Sequence, residues 1–381
     1  MKFLVETPWD VQPDSSSIFE IYNPSDQYIM GNGVDKMQKF DGTDWQDLEG
    51  DTPRGNILAI YKFRLMVAGD PSFPHRIWYS HLRNGEGWTK DTDWIDVYPE
   101  DGGKINGFEI QGDELKVSKD NGRFYGWQIF DDGRPEASRL RIIEDNKGAL
   151  NQQSLTMMDD ILYYLDRERL ETIPVSTRGG ISYVVDEIIK GIESLDKTAM
   201  GSNDGKVYVA LGDITIDLGD EITITNAVLI YDYINQGFYI RDNVEARVFS
   251  KFIDSTGVED MYFGDSNGRV FKMDSGTLAG ASPLHMRIRT VPYFRDTGDR
   301  IHISKVGIFM DDPDATVVNY RTELNEKFVH NLGTVIKEPV QWFPCDITGP
   351  LLQFEFTHSN RITRPRLLGI EIEYEPRGKP E

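Results

Sequence analysis

A chain of 381 residues exceeds the size that one hydrophobic core normally supports, so the sequence predicts either a repeat architecture or two domains. Acidic residues outnumber basic ones by 63 to 41, a net charge of −22, which argues against a DNA- or RNA-binding surface driven by charge. The apolar residues that follow Met1 are interrupted at once by Glu6 and Pro8, so we expect neither a signal peptide nor membrane insertion.

Short alternating stretches bounded by turn residues dominate the first part of the chain. After a polar leader or arm at residues 1–17, a first unit has strand patterns at 19–22, 28–31 and 37–40 and ends near Trp45. A second unit has patterns at 57–60, 65–68 and 77–80 and ends at Trp88, and similar units begin near Phe108, Leu155, Ala199 and Phe249.

Residues 259–275 show the pattern of these units most clearly. Met261 and Phe263 alternate with polar residues on one side, Phe271 and Met273 do so on the other, and the intervening Gly268 tolerates the positive φ of a tight turn. Such a β-hairpin, repeated in units of roughly 40–50 residues, is typical of β-propeller blades. The sequence therefore predicts an all-β propeller of about six blades over residues 18–282.

Two segments depart from this pattern. Residues 181–195 place apolar side chains at helical spacing with Ser182 as a candidate N-cap, which predicts a short inserted helix that covers a face of the propeller. From residue 283 the alternation becomes stricter, for example at 301–306 and 368–374. This spacing predicts a C-terminal β-sandwich over residues 283–381.

The strongest catalytic candidate is the segment 118–125, Ser-Lys-Asp-Asn-Gly-Arg-Phe-Tyr, which resembles the Asp box of sialidase-like propellers except at its last two positions. The resemblance implies a structural turn in which Asp120 accepts hydrogen bonds from backbone amides, not an active site. A sialidase-type site also needs arginines and a Tyr/Glu pair that face the central channel. The spacing does not specify such convergence for the residues that could supply it: Arg139, Arg141, Tyr163, Tyr164 and Glu168.

Other chemical signals are weak. The histidines at 75, 81, 285, 302, 330 and 358 lack zinc-site spacing, and no nucleophile-elbow, P-loop or dinucleotide-binding motif occurs. Residues 265–267 and 310–314 lack the full ligand register of a calcium loop, so we expect acidic turns there. Cys345 is expected to be a buried residue without a catalytic role. We predict no catalytic, cofactor-binding or metal-binding residues, and therefore not an enzyme. Trp78, Tyr79 and Trp88 could form an aromatic platform that binds glycans, but packing between blades is the favoured interpretation of these side chains.

Residues 31–88 resemble a recurrent sequence of bacteriophage virion proteins of the head-to-tail and tail region, which carry a β-propeller of the tail nozzle or hub type. The similarity rests on residues 31–37 leading into 40–45, and on 60–70 and 77–80; the later segments 177–182, 228–232 and 237–239 agree with it. It covers roughly residues 19–275. The resemblance implies a non-enzymatic structural protein of the neck or tail (head-to-tail connector, nozzle or hub) that assembles around the DNA exit channel.

The partners that follow from this resemblance are other virion proteins such as a portal, connector, tail tube or fibre, and further copies of the chain in a homo-oligomeric ring. DNA would pass transiently and without sequence recognition, since an acidic lumen repels phosphate. The expected location is the virion, after assembly in the host cytoplasm. The alternative is a glycan-binding or glycan-cleaving, sialidase-like propeller at the tail tip, which predicts a pocket at the channel mouth lined by arginine, carboxylates and exposed aromatics.

Overall fold

The computed structural model describes residues 3–7, 27–40, 43–130, 135, 138–145, 147–174, 185–192, 194, 198–217, 221–253, 257–275, 278–279, 282–283, 286–290, 292–294, 301–323, 327–359 and 365–376. Thirty-two strands, β1 to β32, account for most of these residues, which confirms the all-β prediction.

Six small antiparallel sheets, each joined in chain order, form the blades of a β-propeller. Blades 1 to 3 consist of β1 Phe3–Thr7, β2 Gln27–Gly31, β3 Gln38–Phe40 and β4 Trp45–Asp47; β5 Ile57–Tyr61, β6 Arg64–Ala68, β7 Arg76–Tyr79 and β8 Trp94–Asp96; and β9 Ile105–Gln111, β10 Glu114–Lys119, β11 Arg123–Gln128 and β12 Arg139–Asp145. Blades 4 to 6 consist of β13 Leu155–Met158, β14 Ile161–Leu165 and β15 Leu170–Ile173; β16 Ala199–Asn203, β17 Lys206–Asp217, β18 Glu221–Asp232 and β19 Gly237–Arg241; and β20 Val248–Ile253, β21 Glu259–Gly264 and β22 Val270–Lys272.

The blades are held together by hydrophobic clusters between neighbours. The inner strands of consecutive blades contact one another along the chain, from β1 through β5, β9, β13 and β16 to β20. Five clusters of buried side chains fill the junctions between blades 1 and 2, 2 and 3, 3 and 4, 4 and 5, and 5 and 6. Alternation along each strand explains this arrangement, because the two faces of one blade serve two different junctions.

The hairpins form where glycine supplies the backbone conformation that they require. Gly112 and Gly122 have φ of 57° and 82° in the two tight turns of blade 3, and Gly268 has φ of 76° in the turn between β21 and β22. The predicted hairpins of residues 108–127 and 259–275 are therefore confirmed.

Three details differ from the sequence-based expectations. Residues 3–7, assigned to a leader, form β1 and pair with β2 as the inner strand of blade 1. The outermost strand of blade 2 contains Trp94, whereas Trp88 lies in the loop before it. The inserted helix α1 is described over Asp186–Lys190 and ends before the predicted residue 195, and its residue Ile189 is buried in the junction between blades 4 and 5. The predicted cap Ser182 and the strand at 19–22 lie outside the described residues.

The C-terminal region contains two further sheets that share one hydrophobic cluster. After the short strands β23 Leu278–Ala279 and β24 Ser282–Pro283, one sheet contains β25 Met286–Arg289, β26 Tyr293–Phe294, β28 Thr316–Arg321, β29 His330–Val335 and β31 Leu351–His358, and the other contains β27 Ile301–Asp311, β30 Val340–Gly349 and β32 Arg366–Pro376. Ile308 from one sheet and Phe356 from the other are fully buried in the shared cluster. The all-β character of this region is as predicted, and its finer assignment as a β-sandwich stays a prediction. Within the described part of the chain, no helix is long and apolar enough to cross a membrane.

Candidate functional site

The Asp-box-like segment forms a buried ionic cluster where the connection from blade 2 meets blade 3. Asp120 accepts a hydrogen bond of 2.8 Å from the backbone N–H of Lys104, which is the role that the resemblance implied. Lys119 donates to the carbonyl oxygens of Val97 and Tyr98, at 2.8 and 3.0 Å, and its Nζ lies 2.5 Å from Oδ1 of Asp101. This network fixes the loop at 97–104 onto the end of β10.

The electrostatics of the cluster stabilise its charges. Burial disfavours the ionised form of Asp101, but hydrogen bonds from Lys119 and Tyr125 outweigh it and lower the pKa of Asp101 to about 2. Burial together with its hydrogen bond to Asp101 raises the pKa of Tyr125 to about 12. The Lys119 side chain is completely buried and that of Asp101 is 3% exposed, so both charged groups are closed off from solvent. The cluster is thus suited to stabilising the fold and not to catalysis, because a substrate could not reach the buried ammonium group of Lys119.

The residues weighed for a sialidase-type site are not brought together. Tyr163 and Tyr164 lie on opposite faces of β14: Tyr163 packs toward Tyr231 of blade 5, and Tyr164 toward Phe124 of blade 3. Arg141 is held by two hydrogen bonds of 2.8 Å to the carboxylate of Glu114. The two tyrosines therefore belong to the cores of different junctions.

A polar pocket of about 460 Å³ lies where the inner strands of blades 2, 3 and 4 begin, at one mouth of the propeller. The charged side chains that line it are Asp70 and Lys104; among the described residues it has no arginine and no aromatic. The aromatics weighed for glycan binding are instead in the core, since Trp78 and Tyr79 are 3% and 7% exposed in two different junctions. The described pocket thus lacks the groups that the glycan-handling alternative requires.

Glu109 is the most perturbed carboxylate on the inner strands. It lies on β9 between Gly107 and Gln111, both of which contact blade 4, so its side chain faces the same junction. Its burial raises its pKa to about 7, and its Oε1 accepts a hydrogen bond from the N–H of Ile110. Among the described residues no ion pair compensates its charge, so Glu109 destabilises the folded chain when it ionises.

The remaining candidates for metal binding are engaged within the protein. Asp265 accepts hydrogen bonds from the N–H groups of Asn267 and Arg269 and pairs with the Arg269 guanidinium. Asp311 pairs with Arg366, and no group of three or more metal-ligating side chains occurs in the described ranges. Cys345 packs against the hydrophobic cluster shared by the two C-terminal sheets, where burial raises the pKa of its thiol.

One face of blade 6 carries exposed apolar side chains beside an ion pair. Strand alternation and register place Val248, Phe252, Tyr262 and Val270 on this face, and we call these four residues the blade 6 face. The same register places Ser250, Asp260 and Lys272 there, and Lys272 pairs with Asp260 at 2.5 Å. Phe252 is 60% exposed and Val270 71%, and Phe252 packs edge-on against Tyr262. Met261, on the other face, is buried against blade 5.

Blade 1 presents a corresponding surface. Phe40 and Trp45 are register partners, their rings lie 5.0 Å apart, and Trp45 is 47% exposed; we call this pair the blade 1 face. The neighbouring Lys39 points the other way, toward Glu86 of blade 2, at 2.7 Å.

Sequence reasoning missed this pair of surfaces and the Lys119–Asp101 pair. Alternation shows that a strand has two faces but not which face is covered, and charged residues are expected at the surface by default. The only available signal was the aromatic pair at positions 40 and 45 on successive short strands.

Comparisons with known proteins find likenesses of fold alone. No protein-family model matches the chain, and no curated protein matches it. Among solved structures, BBS1N in complex with ARL6DN has a TM-score of 0.43 at 12% identity, over 66% of this chain and 75% of that one. The computationally designed Ika8 protein has a TM-score of 0.36 at 11% identity, over 65% and 67%. The exo-β-1,3-galactanase of Phanerochaete chrysosporium has a TM-score of 0.29 at 9% identity, over 91% and 93%. Scores in this range carry no functional argument.

Proposed function

We propose that the protein is a non-enzymatic structural component of a bacteriophage neck or tail, built into a homo-oligomeric ring around the DNA exit channel. The observation that carries the proposal is the pair of exposed apolar surfaces, the blade 6 face and the blade 1 face. Exposed apolar surface of this kind favours association. If the blade 6 face of one copy covers the blade 1 face of the next, the contact is head-to-tail, and repeating it generates a ring when the rotation between copies closes the circle and an open filament when it does not.

The charge distribution is compatible with a conduit between copies. The inner strands of the propeller carry few charged residues, Glu6, Glu109 and Lys251, so the net charge of −22 resides elsewhere on the chain. In the proposed assembly the acidic excess faces the lumen of the ring, where it repels phosphate and lets DNA pass without adhering.

The test is the mass of the purified full-length chain, measured by native mass spectrometry and light scattering over a range of concentrations. We expect a ring of fixed copy number for the parent chain and monomers for the double variant Phe252→Ser with Val270→Ser. The matched control is Ile234→Ser, which removes an aliphatic side chain that is 74% exposed on a turn of blade 5 and should leave the ring intact.

Two results would contradict the proposal. A parent chain that stays monomeric at every concentration, while the double variant loses thermal stability, would show that the two faces close the propeller within one chain. Binding of DNA fragments to the purified protein at low salt would show that its acidic surface does not repel DNA.

A further inference from the structure

A cleft of about 790 Å³ lies between blade 5 and the C-terminal sheet that contains β25, and it is the largest described cavity. Clefts that bind small molecules have volumes of roughly 300 to 1,000 Å³. β25 is the last strand of its sheet, so side chains from both of its faces can border the cleft. The size of the cleft is therefore suited to a small molecule.

The walls of the cleft carry apolar side chains that the chain covers only in part. Phe238 and Ile240 of β19 line it from one side and pack against the cluster between blades 4 and 5. Met286 and Ile288 of β25 line it from the other side and pack against the cluster of the C-terminal sheets. All four side chains are half-buried. An apolar ligand body placed between them would remove further apolar surface from water, which favours binding.

Two arginines on one face of β25 line the cleft and share one buried carboxylate. The Nε atoms of Arg287 and Arg289 lie 3.6 and 2.7 Å from the same oxygen of Glu355, Oε2. The side chain of Glu355 is 7% exposed, and Glu355 is not among the described residues that line the cleft. Arg289 is 11% exposed and also stacks on the ring of Phe328, with its Cζ 4.6 Å from the ring centroid. Arg289 is therefore committed to contacts within the fold.

Arg287 is the arginine that a ligand can reach. Its side chain is 48% exposed, and its Nε, at 3.6 Å, is beyond hydrogen-bond distance from Glu355. The acidic residue of the described lining, Asp242, is half-buried, and its Oδ1 is closed off from solvent. The most accessible charge among the described lining residues is thus a guanidinium, whose planar set of N–H donors matches a carboxylate.

We infer that the cleft binds an amphipathic carboxylate, a molecule with an aliphatic body and one anionic head group, such as a medium-chain fatty acid. The body lies between the apolar side chains of β19 and β25, and the carboxylate accepts hydrogen bonds from the guanidinium of Arg287. A carboxylate is preferred to a neutral head group because hydrogen bonds between two charged groups are the stronger ones. The inference is independent of the ring proposed above, because the described lining contains no residue of the blade 6 face or the blade 1 face.

The experiment measures the binding of octanoate to the purified full-length chain by isothermal titration calorimetry, with octanol and acetate as comparison ligands. Octanol keeps the aliphatic body without the charge, and acetate keeps the carboxylate without the body. We expect saturable binding of octanoate at one site. Each comparison ligand should bind more weakly by about tenfold or more, because each lacks one of the two contacts.

Arg287→Gln tests the position of the head group. The variant keeps the ion pair of Arg289 with Glu355, so its thermal unfolding should match that of the parent. It should weaken octanoate binding by about tenfold or more and leave octanol binding unchanged, since only the charged contact is lost. The matched control is Arg366→Gln, which removes another exposed and paired arginine of the C-terminal region that does not belong to the described lining. It should leave the affinity for octanoate unchanged.

Three results would overturn the inference. The absence of saturable octanoate binding by the parent chain would exclude the site. Equal affinities of the parent for octanoate and octanol would show that the cleft does not recognise charge. An affinity for octanoate that Arg287→Gln leaves unchanged, or that Arg366→Gln lowers to the same extent, would place the carboxylate away from Arg287.

Discussion

The ammonium group of Lys119 and the carboxylate of Asp101 lie 2.5 Å apart inside the protein, with side-chain exposures of 0% and 3%. The lysine belongs to a strand of blade 3 and the aspartate to the connection from blade 2. Because neither charge reaches solvent, each depends on the other for compensation.

Replacing this aspartate should therefore destabilise the chain strongly. Asp101→Asn leaves Lys119 as a buried cation without its counter-ion, and we expect a loss of about 3 to 5 kcal/mol in the free energy of unfolding. Urea denaturation followed by circular dichroism measures it. Asp145→Asn, which removes an exposed partner of Arg123, is the matched control and should cost less than about 1 kcal/mol. Equal effects of the two variants would show that the Lys119 cluster is not a stabilising element.

Glu109 makes the stability of the fold depend on pH. The pKa of this carboxyl rises from 4.5 to about 7 in the folded chain, so the folded state holds a proton that the unfolded state releases. The protonated carboxyl of Glu109 therefore favours the folded state: its contribution to the free energy of unfolding is fully present below about pH 4.5 and is lost as the pH rises through about 7.

Glu109→Gln should remove this dependence. We expect the variant to match the parent below about pH 4.5 and to exceed it by about 2 to 3 kcal/mol above about pH 7. Urea denaturation at several pH values between these limits gives the comparison. If the difference between the two proteins does not change with pH, Glu109 ionises normally in the fold.

Asp274 links blade 5 to the end of blade 6. Its burial opposes ionisation, but the hydroxyl of Tyr208 at 2.7 Å and the charges of Arg241 and Lys206 outweigh burial and lower its pKa. Asp274 has φ of 54°, a conformation that asparagine also tolerates, so Asp274→Asn removes the charge with little backbone strain.

We expect Asp274→Asn to cost about 1 kcal/mol at neutral pH, because the side chain is still one-third exposed. The cost should shrink as the pH falls through the lowered pKa of Asp274, where the parent loses the same charge. Thermal unfolding at neutral and acidic pH measures both values. A cost that stays constant with pH would attribute the effect to packing instead.

Gly307 is required by its contact with an indole on the neighbouring strand of its own sheet, since Gly307 and Trp342 are register partners. A Cβ atom at this position would lie 2.7 Å from the ring of Trp342, and the Lys305 ammonium lies 4.2 Å from the centroid of that ring. Gly307→Val should therefore displace the indole and cost about 1 to 3 kcal/mol, with a shift in tryptophan fluorescence. Gly369→Ala is the control, since nothing lies within 4 Å of its added Cβ. An unchanged emission spectrum for Gly307→Val would contradict this contact.

Sequence reasoning succeeded where structure is local. The hairpins of blades 3 and 6 follow from alternation around turns such as that at Gly122, because both determinants lie within a few residues. It failed for β1, since Phe3–Thr7 pairs with Gln27–Gly31 across a long intervening segment, and nothing within Phe3–Thr7 specifies so distant a partner. The ion pair of Asp101 and Lys119 was missed for a related reason, because residues 18 apart meet only once the blade has folded.

The row of hydrophobic junctions has a consequence for how the molecule opens. Blades 2 to 5 each pack against a neighbouring blade on both faces through a described hydrophobic cluster, so separating any one of them breaks two clusters. Local openings that break few contacts cost the least free energy, so the amide hydrogens of these four blades should be among the slowest to exchange. A substitution that empties one cluster would therefore loosen two adjacent blades together, and the number of blades whose exchange accelerates reports how cooperatively the propeller holds.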